Sequence, residues 1–259
     1  MLISAVMLIL QETLEAAMLL SLLLALIKLE RLSGIKWGYF ILLGLIGAMG
    51  YSLFMGEISM WFDYVGQEVI NALLHFTIVL AILILLINIH TKSKRSHLAL
   101  NFTIGLVLIC AITREGSEII LYLSGIIHEK RNIAAIILGS FIGLAIGIST
   151  ATLFFYLILS LPQRTRNWAC LIFMSLFCAN MASQGILAFI QADWIESTQP
   201  IWDTSNWLSE NSILGRLLYA FIGYEATPTI HQLLIYISIF LITSALTFKK
   251  FFNGHQLKV

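Results

Sequence analysis

Apolar runs of about twenty residues recur from one end of this 259-residue chain to the other, and nothing else in the sequence constrains the fold as much. A run that long can cross a hydrocarbon core of about 30 Å, where every backbone group must find its partner inside the segment, so it folds as a helix. Hydropathy predicts seven such spans, at about 1–27, 36–56, 69–89, 100–127, 133–161, 167–190 and 229–248. Composition agrees, with 59% hydrophobic and 11% charged residues against roughly 25% charged in soluble domains. A net charge of +1 leaves no basic field for nucleic acid. The expected fold class is an all-α integral membrane protein, with residues 1–259 forming a single membrane domain in the lipid bilayer.

Basic residues set the orientation. With the N-terminus outside, Lys28, Arg31, Lys36, Lys92, Lys94, Arg95, Arg164, Arg166, Lys249, Lys250 and Lys258 fall on the inner side. Only Lys130, Arg131 and Arg216 fall outside, and Arg114 lies within a span. Acidic residues run the other way: Glu30 is inside, and Glu57, Asp63, Glu68, Glu129, Asp193, Glu196, Asp203, Glu210 and Glu225 are outside. The positive-inside rule therefore predicts N-out, C-in. Trp61, Trp194, Trp202 and Trp207 fall in the two longer outer loops, about 57–68 and 191–228, and Trp37 and Trp168 at inner helix ends, where indoles anchor the interface. The first span lacks a basic leader and a cleavage-like ending and carries Glu12 and Glu15, so a signal peptide is not expected. Cys110, Cys170 and Cys178 form no C-x-x-C and read as small buried residues.

Four carboxylates and one guanidinium lie deep in the spans. The first reads Gln11-Glu12-Thr13-Leu14-Glu15 and the fourth Arg114-Glu115-Gly116-Ser117-Glu118. The i, i+3 spacing puts both carboxylates of a pair on one helical face. At 1.5 Å per residue, Glu12 and Glu115 both fall near the bilayer midplane. Each charge at that depth costs about 2.5–3.5 kcal/mol, which marks function rather than accident. Arg114 can pair with Glu118 on its own helix, but one positive charge cannot neutralise four negatives. Either some glutamates are protonated or a cation completes the group.

An offset of 103 residues superposes Glu12 on Glu115, Glu15 on Glu118 and Gly44 on Gly147. Three spans separate the two motifs, so the second copy crosses the membrane in the opposite direction. Two inverted three-helix repeats, about 1–90 and 100–190, followed by an outer loop at 191–228 and a final helix at about 229–248, are the expected architecture. Such repeats place the substrate near the midplane, at their interface. Gly44, Gly47 and Gly50 in the second span and Gly139, Gly143 and Gly147 in the fifth form small-residue faces for close helix packing. A carboxylate cluster without Cys, Met or His suits a hard cation: Mg²⁺, Ca²⁺, Mn²⁺ or iron.

These residues resemble a known family, the oxidase-dependent, high-affinity iron permeases of fungi and bacteria, in their bacterial short form. Its hallmark, Arg-Glu-x-x-Glu in the first and fourth of seven spans, is matched in full at Arg114–Glu118, while Gln11 stands where the first copy usually has Arg. Trp202-Asp203-Thr204-Ser205 and the stretch from Gly215 to Pro228 look like the outer segment before the last helix of bacterial members. The resemblance implies a permease, not an enzyme. Its transported substrate is the iron ion, Fe²⁺ or Fe³⁺, and no cofactor is bound permanently. Glu12, Glu15, Glu115 and Glu118 are the implied metal ligands, with Arg114 and Gln11 setting the site's charge balance. An acidic outer-loop motif that receives iron in the family has its nearest candidate in Asp193 and Glu196. Fungal relatives work with an extracytoplasmic oxidase and bacterial ones with periplasmic partners, so an iron-delivery protein and a location in the plasma membrane, here a bacterial inner membrane, are expected.

Two other readings compete. A transporter of another hard cation such as manganese would use the same ligands. A membrane di-iron oxidase would normally use Glu-x-x-His on two helices, and no His follows any of these glutamates at i+3. Haem would need His at depth. His75 and His231 are placed near outer helix ends, and His90, His97, His128 and His255 in loops or tails.

Overall fold

The computed structural model describes residues 2–30, 37–88, 94–128 and 133–256. Arg31, Lys36, His90, Lys92, Glu129, Lys130, Arg131 and Lys258 lie outside the described residues. So do the side chains of Glu30, Lys94, Arg95, His97, His128, Lys249, Lys250 and His255. Among the described residues the chain is all helix, with no strand.

Seven long helices follow the seven apolar runs: α1 (Leu2–Glu30), α2 (Trp37–Leu53), α5 (Gly66–Asn88), α6 (Lys94–His128), α7 (Ile133–Ser160), α8 (Gln163–Gln191) and α10 (Ile230–Gln256). Five of them, α1, α5, α7, α8 and α10, are long and apolar enough to cross a membrane by length and composition. α2 has 17 residues, and α6 carries the charged motif. Between α2 and α5 lie two single turns, α3 (Met55–Ile58) and α4 (Trp61–Tyr64). The second is not a regular helix, because Phe62, Asp63 and Tyr64 all take positive φ, a left-handed path that L-residues seldom follow in succession.

The segment expected as one outer loop, 191–228, contains a helix of its own, α9 (Ile213–Ile222). Its signals are ordinary. Ser212 Oγ accepts the Gly215 amide at 3.0 Å as an N-cap, and Gly223 ends it at φ 69°. A Cβ on Gly223 would lie within 2.9 Å of the Asn180 side chain, so a glycine is required there by conformation and by space. Asn180 Nδ2 donates to the Tyr219 carbonyl at 3.3 Å, tying the last turn of α9 to α8.

The glycine faces set the packing. α7 lies along α1, and α2 lies along α6. A Cβ on Gly143 would be 2.6 Å from the Val6 carbonyl oxygen, and one on Gly147 2.9 Å from Thr13. A Cβ on Gly44 would be 2.7 Å from Ile112 Cβ, and Gly47 lies against Thr113 more closely still. Bare backbone on α7 and α2 therefore seats the two motif helices side by side with their neighbours. α5 packs against α8 and α6, and α10 against α8. The core runs through α1, α5, α6 and α8, where Leu14, Leu19, Leu23, Ile82, Leu85 and Ile104 are fully buried. Phe141, Leu153, Tyr156 and Leu157 on α7, and Leu42, Ile46 and Met49 on α2, are exposed. So broad an apolar surface belongs against lipid rather than water.

Candidate functional site: a buried carboxylate cluster around Arg114

The i, i+3 pairs on α1 and α6 face each other, and Arg114 lies between them. Its Nη1 donates to Glu115 Oε2 at 2.6 Å and to Glu15 Oε2 at 3.4 Å, and it is 3.9 Å from Glu12 Oε2. Its Nη2 is 3.0 Å from Glu118 Oε1. One guanidinium thus reaches all four carboxylates, two of them on a helix about a hundred residues away in sequence. The sequence suggested pairing with Glu118 and at most one further carboxylate. Planar geometry explains the reach, since the forked donors of Arg can serve several oxygens at once.

The two helices present their acids differently. Glu12, Glu15 and Glu115 are buried, whereas the Glu118 side chain remains 31% exposed. Glu118 and Arg114 line a cavity of about 390 Å³, with Gln67, His75, Gln184 and Tyr219 among its other walls. Gln191, exposed at the end of α8, also lines it, so the cavity leads from that end of the bundle to the acids. Gln184 Nε2 donates to Glu15 Oε2 at 3.4 Å. Even so, Glu12 Oε2 and Glu15 Oε1 are buried without a hydrogen bond, an arrangement costly for carboxylate oxygens. Among the described residues, no three His, Cys, Asp or Glu side chains are already grouped to hold one metal ion. The guanidinium occupies the middle of the cluster.

Gln11 turns out to have a partner that sequence reasoning missed. Arg216, on α9, donates from Nη1 to Gln11 Oε1 at 2.6 Å and to the Met7 carbonyl at 3.2 Å. A second guanidinium therefore reaches the first motif from another element. Gln184 and Tyr219 were missed as well, because neither lies in the motif and both arrive by tertiary packing. His75 had been placed near a helix end. It is instead ten residues into α5, 2% exposed, and faces the cavity.

Asp193 and Glu196 are exposed just beyond α8, and neither makes an ion pair or hydrogen bond to the glutamate cluster. Asp193 has φ 55°, and the adjacent Trp194 ring stacks on Phe189 at 5.5 Å. In the second acidic stretch, hydrogen bonds from the Ser205 hydroxyl and amide hold the Asp203 carboxyl below its usual value. Glu225 receives Gln232 Nε2 at 2.7 Å on both oxygens, and burial pushes its carboxyl up to about 7. Cys110, Cys170 and Cys178 are buried, as their apolar surroundings predict.

A sequence profile of the Iron permease FTR1 family matches residues 2–252. The chain belongs to that family. Curated relatives include the ferrous iron permease EfeU of Yersinia pestis, 26% identical over 258 residues and covering 92% of this chain and 90% of the relative. The ferrous iron permease EfeU of an Escherichia coli O6 strain is 24% identical over 259 residues, covering 92% of each. No solved structure matches the chain significantly. Family membership and the apolar helices together make this a multi-pass membrane permease of the iron-transport class rather than an enzyme.

Proposed function

We propose that the chain carries iron across the membrane through the cluster of Glu12, Glu15, Glu115 and Glu118. The observation that supports this most strongly is the meeting of four carboxylates, three of them buried, from two distant helices around a single guanidinium. Four carboxylates against one Arg leave the centre formally at −3 if all are ionised, and a divalent cation brings it to −1. An incoming ion competes with Arg114 for the same oxygens. Loading therefore requires the guanidinium to give up part of its contacts, and departure of the ion lets it return. That exchange lowers the excess negative charge while the ion is bound and prevents the ion from being held too tightly to leave.

The curated relatives are named for ferrous iron, which supports Fe²⁺ as cargo. The distribution of basic residues supports an N-out, C-in orientation with seven spans. The matched packing of α7 on α1 and α2 on α6 supports two inverted repeats, 1–90 and 100–190. In that orientation the cavity opens outward. Asp193 and Glu196, exposed close to Gln191, are positioned to receive iron from an extracytoplasmic oxidase or delivery protein. The bacterial relatives support residence in an inner membrane.

Uptake into proteoliposomes, comparing Fe²⁺, Fe³⁺ and Mn²⁺, tests the reading. Wild type is expected to accumulate Fe²⁺. Replacing any one of the four glutamates by Gln is expected to lower uptake about a hundredfold, the upper range for loss of a metal-site group, with the protein still inserted. Wild-type uptake by Glu15→Gln or Glu118→Gln would remove that carboxylate from the route.

A further inference from the structure

His75 stands apart from every other polar group in the cavity. Gln67, Asn71 and His75 occupy i, i+4 and i+8 of α5, one continuous stripe on a helical face, and all three line the cavity. From α8, Gln184 and Gln191 line the opposite wall. Two of these amides have partners close by: Asn71 Oδ1 accepts from the Tyr51 hydroxyl at 3.1 Å, and Gln184 donates to Glu15. The imidazole has none. Neither Nδ1 nor Nε2 has a well-formed hydrogen bond; the Asn71 carbonyl one turn earlier is the acceptor that bears on the ring. A buried ring with two unmet nitrogens is a rarity that calls for a ligand or a compensating role.

We propose that His75 is a nitrogen ligand for the transported cation in the cavity that Glu118 also lines, and that it biases the route towards Fe²⁺. The proposal rests on the permease reading above. A neutral imidazole offers one lone pair to a metal. Glu118, the most exposed of the four acids, lines the same cavity, and the side-chain oxygens of Gln67 and Gln191 supply further donors. An oxygen-only site favours Mg²⁺, Ca²⁺ and Mn²⁺ as readily as iron, whereas imidazole favours the later transition ions, with Fe²⁺ above Mn²⁺. A nitrogen donor beside Glu118 would thus act as a filter at the entrance to the carboxylate centre, and the carboxylates would provide the passage.

The test is Fe²⁺ uptake into proteoliposomes with Mn²⁺ or Mg²⁺ as competitor, for wild type, His75→Gln and His75→Asn. Both variants are expected to transport Fe²⁺ more weakly, and the competitor concentration that halves their uptake is expected to fall about tenfold, the scale on which a metal-site group alters affinity. Unchanged competition in transporting variants would overturn the proposal. A second readout uses the wild-type protein alone: carbethoxylation of His75, followed by mass spectrometry, with and without Fe²⁺ or Mg²⁺. Fe²⁺ is expected to shield the ring and Mg²⁺ to leave it reactive; equal shielding by both, or none, overturns the proposal even if both variants misfold. Wild-type protein that moves no iron, or a Glu12→Gln variant that moves it normally, would instead refute the permease reading.

Discussion

The two motif helices differ in how each is compensated. On α6, the motif carries its own guanidinium, and Arg114 touches every carboxylate in the cluster. On α1, an amide occupies the matching position, and its charge partner, Arg216, comes from α9. The acids differ as well: both on α1, Glu12 and Glu15, are sealed in the bundle, whereas on α6 Glu115 is buried and Glu118 opens on the cavity. A repeated motif therefore need not yield two equivalent halves. The α6 motif meets the cavity through Glu118 and carries its own guanidinium, and the α1 motif is buried and bonded by α9.

The largest effect that would break this comparison is expected at Arg114. In Arg114→Gln the four acids lose their common partner, and removing one member of a buried charge pair typically costs about 3–5 kcal/mol. Thermal unfolding in detergent is expected to show a much less stable protein, and uptake is expected to vanish. Stability equal to wild type would mean that the acids are not held as anions by this guanidinium.

A smaller effect is expected at Arg216, which bonds an amide rather than a carboxylate. Arg216→Gln is expected to cost about 1–3 kcal/mol, the range for leaving a buried hydrogen-bonding group unmet, and to reduce uptake without abolishing it. If α9 supplies what α1 lacks, Gln11→Arg should restore uptake to Arg216→Gln. Uptake left unrestored by that double variant would show that Arg216 positions α9 and contributes nothing to the charge of the first motif.

Much of this architecture was legible in the sequence, because apolar runs and charges at i, i+3 are local signals. Among the described residues, the five helices long and apolar enough to span lie where hydropathy put them, α2 and α6 follow two further apolar runs, and the glutamates of α1 and α6 converge. α9 was not read as part of the site, since a ten-residue helix inside a polar stretch falls below any spanning window. Its caps, Ser212 and Gly223, are the local signals that could have found it. The link between Arg216 and Gln11, 205 residues apart in sequence, follows only from how α9 docks on α1 and α8. The depth of His75 was misjudged for a related reason: its burial comes from neighbouring helices and not from its distance to the end of α5.

The smallest effects belong to the exposed acids. Asp193→Asn and Glu196→Gln touch neither motif helix, so stability is expected to stay within about 0.5 kcal/mol. Uptake is expected to fall only at low external iron, where capture limits flux. A loss that persists at saturating iron would place these residues in the route itself and weaken the contrast between the cavity-facing and closed copies.

The central claim is that two unequal copies build one centre, and counting bound ions tests it most directly. Fe²⁺ binding to the purified protein under anaerobic conditions should saturate at one tightly held ion per chain. Glu15→Gln on α1 and Glu118→Gln on α6 should each remove that ion entirely. Two tight ions per chain, with each substitution removing only one, would contradict the account and make each motif a site of its own.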